Sequence, residues 1–257
     1  MILSFVMQAY LGDYPGSRSN PIEKFHRIVN CVKQQTNPNW ELVIVSDGCD
    51  ITLKEYEKHY KDDPKIKFAY VAKPKHSLMY AEENGEKYFR GVPRQVGIEL
   101  ASGDWISYID SDDYILNSTV DRLLKEIEIK TSPNYPGDEV RAILNRSCIK
   151  NEMWEEMTLD AIKAGQSDVP ITDKFEIKGL GGKWKAFEFP KGKANLATVS
   201  IIHRRDWPEH KWKDSTGDWS EDMLFINPMT MMPLAKHSDT MSIPYYVICH
   251  HSKKWDY

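Results

Sequence analysis

The strongest constraint on the fold is a short apolar run, Leu42-Val43-Ile44-Val45, which has no polar interruption and stops abruptly at Ser46-Asp47-Gly48. A strand with one wet face alternates apolar and polar residues. This run does not, so it predicts a strand covered on both faces, as in a parallel sheet packed between helices. A second run, Trp105-Ile106-Ser107-Tyr108-Ile109, ends just as sharply at Asp110-Ser111-Asp112-Asp113. Ile2 to Met7 and Ile66 to Val71 supply two more strands. Helical segments lie between them. Asn20-Pro21 offers a cap and a proline at the first helical position, and Ile22, Phe25, Val29 and Val32 then fall on one face. Thr52-Leu53-Lys54-Glu55 has capping-box form and predicts a short helix. Val92, Val96 and Leu100 predict a helix over 92–101. Val120, Leu123, Leu124 and Ile127 predict another, capped by Asn117 or Ser118. The alternation specifies an α/β chain whose central sheet is mostly parallel and flanked by helices in the Rossmann-like manner.

With 257 residues, 41% of them hydrophobic and 28% charged, the chain can bury a sizeable core, which excludes disordered and fibrous classes. A net charge of -4 gives no general attraction to phosphate polymers or anionic lipid, so a nucleic-acid partner has no support in the charge. Cys31, Cys49, Cys148 and Cys249 are widely spaced, form no CxxC pair, and read as reduced thiols. The apolar N-terminus lacks a basic leader, and no apolar run approaches the roughly 20 residues that cross a bilayer. A cytoplasmic location is therefore expected, with at most a peripheral association at the inner membrane face. Beyond Thr131 the periodicity weakens around Pro133, Pro136, Gly137, Gly179, Gly181 and Gly182. Arg141–Ser147, Trp184–Phe189 and Ala197–His203 predict strands, and Glu221–Ala235 a helix.

In a parallel α/β sheet, ligands bind beyond the carboxyl ends of the strands, so the loops after strands carry the chemistry. Asp110, Asp112 and Asp113 crowd three carboxylates into four residues there. Their mutual repulsion calls for a cation or hydrogen-bond donors. A hard divalent ion bridging a diphosphate meets that need, because Mg²⁺ and Mn²⁺ favour carboxylate oxygens and keep positions open for substrate phosphates. Taken alone, an Asp-rich turn is more often a solvated helix cap. Asp47 follows its own buried strand in the same manner, and Gly48 permits a tight turn beside it.

These pieces stand in the order and spacing of the family-2 glycosyltransferases, an inverting group with the GT-A fold. Trp40 to Asp50 resembles the family's nucleoside-binding segment, with Ser46 and Cys49 as departures. Pro93-Arg94-Gln95-Val96-Gly97-Ile98 through Asp110-Ser111-Asp112-Asp113 resembles its helix and metal loop, with Gln95 as a departure. Ser4 to Tyr10 resembles its first strand, where Gln8 and Ala9 differ. Trp219-Ser220-Glu221-Asp222 and Tyr245 to Ser252 are two further short islands of similarity.

The resemblance implies a nucleotide-sugar donor, with UDP-sugars favoured, and an acceptor hydroxyl on a glycan, a lipid-linked molecule or another compound. By this likeness Ala9, Tyr10, Asp47, Arg94, Asp110 and Ser111 bind the nucleotide. Asp112 and His250 hold Mn²⁺ or Mg²⁺, and Asp222 is the catalytic base. Glu221, Asp113 and His251 are secondary candidates. Residues 1–130 then form the nucleotide-sugar half, and 131–257 the acceptor-side elaboration of the same domain. Trp184, Trp207, Trp212 and Trp219 are expected to pack in the core more than to stack on sugar. The basic stretch Lys191, Lys193, His203, Arg204, Arg205, His210, Lys211 and Lys213 reads as solvated surface, with a diphosphate or polyanionic acceptor as its functional use. The rival readings are a catalytically inactive nucleotide-sugar or carbohydrate-binding module and a nucleotidyltransferase. The latter would usually carry a glycine-rich basic signature after the first strand, of which Gly12 to Arg18 is only a faint echo.

Overall fold

The computed structural model describes residues 1–13, 20–72, 91–135, 139–145, 147–150, 171–175, 184–188, 201–207, 211–212, 225, 238–241 and 246–248. Along the chain run β1 (Leu3–Ala9), α1 (Pro21–Lys33), β2 (Trp40–Asp47), α2 (Asp50–His59), β3 (Ile66–Val71), α3 (Gly91–Leu100), β4 (Trp105–Asp110), β5 (Tyr114–Ile115) and α4 (Thr119–Lys130). The second half adds β6 (Ala142–Asn145), β7 (Ser147–Lys150), β8 (Ile171–Phe175), β9 (Trp184–Glu188), β10 (Ile201–Arg204), β11 (Ser238–Met241) and β12 (Tyr246–Ile248).

Seven strands form the central sheet in the order β11-β6-β10-β4-β1-β2-β3. β1 runs parallel to both β2 and β4, β2 to β3, and β11 to β6, while β10 is antiparallel to its two neighbours. The expected mostly parallel sheet with flanking helices is what forms. A smaller sheet, β5-β12-β7-β9-β8, is drawn mainly from the second half of the chain.

β2 is buried at every residue, as its unbroken apolar run requires. The pleat sorts β1 into two rows. Leu3, Phe5, Met7 and Ala9 face a core shared with Phe25, Ile28, Val29 and Val32 of α1 and Val120, Leu123, Leu124 and Ile127 of α4. Val6 faces a second core with Val43, Val45, Ile106 and Tyr108, and Ile98 of α3 belongs there too. The sheet thus has α1 and α4 on one side and α3 on the other.

Several local expectations are corrected. Ile22 is largely exposed rather than part of the buried face of α1. Asn20 caps that helix with a left-handed backbone, φ 53°, and makes no side-chain cap bond. The capping box at Thr52 does not form. α2 starts earlier, at Asp50, so Thr52 is already helical and its hydroxyl donates to the Ala9 carbonyl at 3.4 Å. In α3 the apolar spacing marked only part of the buried face: Val96 packs against the second core, Val92 and Leu100 are exposed, and Pro93, Arg94, Gly97 and Ile98 are buried. Close approach to the sheet, made possible by Gly97, decided the orientation. Ser118 is the N-cap position of α4, also without a side-chain bond. The strand expected over Ala197–His203 is described only from Ile201, and the helix expected over Glu221–Ala235 lies outside the described residues except at Phe225.

Candidate active site

Strand register brings the acidic loops together. Gln8 pairs with Val45 on one side and with Asp110 on the other, and Ser46 lies opposite Ala9. The carboxyl ends of β1, β2 and β4 are therefore level, with neighbouring strands about 4.8 Å apart. Pleating adds a second condition. Val43 and Val45 face α3, so Asp47, two residues further on, faces the same way. Ile106 and Tyr108 do likewise, and carry Asp110 with them. Gln8 shares that row through Val6. Three polar side chains thus end the α3-facing rows of three adjacent strands.

The Asp47 turn is closed by its neighbours. Gly48 has φ 67°, a left-handed conformation that glycine adopts without a side-chain clash. Ser46 Oγ donates to the Cys49 carbonyl at 2.8 Å and accepts from the Cys49 N–H at 3.1 Å. Ser46 and Cys49, the two departures in this segment, therefore bond to each other and fix the loop between them. Asp47 is 4% exposed, and its Oδ2 accepts from Gln8 Nε2 at 2.6 Å. Gln8 Oε1 is buried without a hydrogen-bond partner among the described residues, leaving one acceptor beside Asp47 for a ligand donor.

The loop after β4 is held from across the sheet. Arg27 of α1 donates through Nη2 to the carbonyl of Asp112 at 2.5 Å and more weakly to that of Asp113 at 3.4 Å. The Asp113 N–H in turn lies 3.4 Å from the Asp110 carbonyl. Asp113 is buried, while Asp110, Ser111 and Asp112 are half-buried at the rim. Carboxylates such as those of Asp110 and Asp112 are the kind of donor that a hard divalent ion, Mg²⁺ or Mn²⁺, prefers.

Arg94 reaches the same face from α3. That helix sits close to the sheet at Gly97, where an added Cβ would stand 2.4 Å from Val6 Cγ1 and 3.3 Å from Val45 Cγ2. The Arg94 guanidinium is buried and lies 4.9 Å from the centre of the Trp212 ring, a cation–π contact. Trp212 is fixed in turn. It stacks on Phe225 at 3.9 Å, and its indole N–H donates to Tyr108 Oη at 2.8 Å. His203 Nδ1 lies 2.8 Å from the Arg204 carbonyl and so carries the proton, leaving Nε2 to accept from the Tyr108 hydroxyl at 2.7 Å. Burial drives the Tyr108 phenol far above its ordinary range, against the opposing pull of the Trp212 bond and of Arg94, so it remains a neutral link in this chain. Residues of the second half thereby anchor the arginine on the α3 face, beside Trp212 and Tyr108.

The structure brings Asp47, Arg94, Asp110, Ser111, Asp112 and Asp113 to one end of the sheet. Ala9 is different: its methyl is fully buried in the α1-side core, away from the α3 face. The Tyr10 ring also packs against that core. Asp222, Glu221, His250 and His251 lie outside the described residues. Trp207 and Trp212 are buried, as expected, while the Trp184 side chain and all of Trp219 are outside the described set. The basic stretch is partly solvated, as expected, with Arg205 and Lys211 exposed. His203 is buried, Arg204 pairs with Glu139 and with Asp206, and Arg205 donates to the Gly103 carbonyl. Lys191, Lys193, His210 and Lys213 are outside the described residues. Cys31 and Cys49 are free and buried. Sequence reasoning missed Gln8 and Arg27 as parts of the site. The row alternation of β1 pointed to Gln8; nothing local pointed to Arg27, which meets residues 85 and 86 positions away.

Residues 20–134, which contain β2, both acidic loops and α3, match the model of glycosyl transferase family 2. This segment is similar to that family. Two relatives from Bacillus subtilis are EpsH, described as a glycosyltransferase, and TuaG, described as a glycosyltransferase of teichuronic acid biosynthesis. EpsH is 28% identical over 159 residues, 60% of this chain and 39% of its own length. TuaG is 32% identical over 104 residues, 39% of this chain and 34% of its own length. The chain thus spans well under half the length of these curated relatives. Among solved structures, S. aureus TarS is similar over 96% of this chain and 60% of its own, with a TM-score of 0.56 at 17% identity. Its complex with UDP gives a TM-score of 0.55 at 16% identity over the same shares. Its complex with UDP-GlcNAc gives 0.52 at 17% identity, covering 96% of this chain and 58% of that one. At such identities the likeness is one of fold. Among the described residues, no helix is long and apolar enough to cross a membrane.

Proposed function

We propose that the chain is a divalent-metal-dependent glycosyltransferase that moves a sugar from a nucleoside diphosphate sugar, UDP-sugars favoured, to an acceptor hydroxyl with inversion. The observation that carries this reading is that Gln8, Asp47 and Asp110 lie on the α3 face at the carboxyl ends of β1, β2 and β4, with Asp112 in the loop after β4 and Arg94 on α3. The UDP and UDP-GlcNAc complexes of TarS support the choice of donor class.

Each residue then has a chemical task. Asp47, oriented by Gln8, accepts a hydrogen bond from the base imide, and Asp110 lies by the ribose. Asp112, with His250 or His251, holds Mn²⁺ or Mg²⁺, and Arg94 adds fixed positive charge by the nucleotide. Such an ion supplies charge against which the diphosphate leaves. Asp222 takes the proton of the acceptor hydroxyl while that oxygen bonds to the anomeric carbon from the face opposite the diphosphate. The sugar–phosphate bond breaks, its electron pair goes to the departing diphosphate, and the anomeric centre inverts. Acceptor selection falls to the second half of the chain, for a glycan, a lipid-linked molecule or another hydroxyl compound.

The test is a thermal-shift screen of nucleoside diphosphates and their sugars with and without Mn²⁺, followed by turnover assays. Metal-dependent stabilisation by UDP or a UDP-sugar, with release of UDP rather than pyrophosphate, is expected. Asp222→Asn should abolish transfer and leave UDP binding nearly intact. Normal turnover by that variant would require another base, and pyrophosphate release would turn the assignment to a nucleotidyltransferase.

A further inference from the structure

Away from the sheet rim, α1 and α2 meet through three metal-ligating side chains to which the mechanism gives no part. His26 Nε2 lies 2.9 Å from Glu55 Oε2, and His59 Nε2 lies 3.5 Å from the same oxygen. All three donor atoms fall within 4.8 Å of one another. We propose that His26, Glu55 and His59 form a zinc-class metal site that ties α1 to α2, independent of the acidic rim.

The spacing that joins these groups as salt bridges also suits an ion. In a tetrahedron with bonds of about 2.0–2.1 Å, neighbouring ligand atoms stand about 3.3 Å apart, and the two measured separations bracket that edge. Glu55 and His59 are one turn apart on α2 and project from the same face, which makes them a chelating pair, while His26 closes the site from α1. The outer nitrogen of His26 is also held: Nδ1 lies 2.5 Å from Tyr60 Oη. Without an ion Nε2–H donates to Glu55; on metal binding that proton is displaced, Nδ1–H donates to Tyr60 Oη, and the Nε2 lone pair turns to the ion, the orientation usual for a ligand histidine. Two imidazoles and one carboxylate suit Zn²⁺ and its neighbours. The half-exposed positions of His26 and Glu55 and the exposed His59 leave an open side for entry and for a water as fourth ligand. α1 links the two regions. Adjacent side chains on a helix diverge by about 100°, so His26 reaches α2 while Arg27 reaches the Asp112 loop.

The experiment is a Co²⁺ titration of the full chain carrying Asp112→Asn, which removes the main ligand of the rim site. The visible absorption of four-coordinate Co²⁺ is read first, and Zn²⁺ competition and the melting temperature follow. One equivalent of Co²⁺ should bind with that absorption, be displaced by Zn²⁺, and raise the melting temperature. His59→Ala and Glu55→Gln, each added to the same background, should weaken binding by at least about tenfold without changing the metal-free melting temperature. Absence of the absorption, or an affinity that survives both substitutions, overturns the proposal. Neither outcome bears on nucleotide binding at the rim, which is assayed separately with the unsubstituted chain.

Discussion

Replacing Glu41 with Gln gives the most quantitative test of how the sheet is held in register. Glu41 is buried at the amino end of β2, where its Oε1 accepts from the Ser4 hydroxyl at 2.5 Å, the Ser102 N–H at 2.5 Å and the Gly103 N–H at 3.0 Å. Its Oε2 accepts from the Ser102 hydroxyl at 2.7 Å and pairs with Lys67 at 2.9 Å. One carboxylate therefore ties β2 to β1, β3 and the turn between α3 and β4. Burial disfavours the charged form, but the hydrogen bonds from Ser102, Ser4 and Lys67 outweigh it and hold the carboxyl at about 2, against an ordinary 4.5. That gap corresponds to about 3 kcal/mol, at about 1.4 kcal/mol per tenfold in proton affinity. Lys67 is nearly a third exposed and partly screened, which lowers the expectation to about 2–3 kcal/mol. Because the folded-state value is depressed, this stability is present above pH 4.5 and is lost as pH falls toward about 2. Urea unfolding of wild type and Glu41→Gln should therefore differ by about 2–3 kcal/mol at neutral pH and converge in acid. Equal midpoints at neutral pH, or a difference that persists at a pH of about 2, would refute the reasoning.

Three further outcomes follow from the same geometry. Gly97→Ala should cost about 1–3 kcal/mol by pushing α3 off Val6, and should weaken nucleotide binding by displacing Arg94, both read by thermal shift with and without UDP and Mn²⁺. Arg27→Met should leave the Asp112 carbonyl without its donor and weaken metal-dependent UDP binding by about tenfold in calorimetry, with a modest loss of stability of about 1–2 kcal/mol. The Cys31 thiol, pushed up to about 11 mainly by burial, should resist iodoacetamide in the native protein at pH 8 and react only after unfolding, as mass spectrometry of the alkylated peptide would show.

Much of this fold is legible in the sequence because parallel strands buried on both faces leave short, β-branched apolar runs that end sharply at turn residues. Leu42 to Val45 and Trp105 to Ile109 announce themselves, and the acidic residues just after them fall where an α/β sheet binds ligands. The helices were less legible where something other than apolar spacing set their orientation. In α3 a glycine and an arginine face the sheet while two aliphatic side chains face solvent, because close backbone approach and the Trp212 contact outweigh the burial of Val92 and Leu100. In α2, Thr52 and Glu55 look like a cap, yet they bond to Ala9 and His26 instead. Long-range partners such as Arg27 and Asp112, or Tyr108 and Trp212, leave no local trace at all.

The same three strands carry two different uses of buried polar groups on one face. At the amino end of the α3-facing rows, Ser4 and Glu41 meet donors from Ser102, Gly103 and Lys67, and the saturated network fixes the relative heights of β1, β2 and β4. At the carboxyl end the rows finish at Gln8, Asp47 and Asp110, with Asp112 and Asp113 just beyond. Strands rise about 3.3 Å per residue, so a register slip of one residue at the amino end would shift the rim by that much and turn its side chains to the opposite face. A network of ordinary hydrogen bonds at the far end of the strands thus sets how Asp47 and Asp110 stand on either side of Gln8. Loss of Glu41 should therefore reach the rim through register, lowering nucleotide affinity only to the extent that the sheet itself loosens.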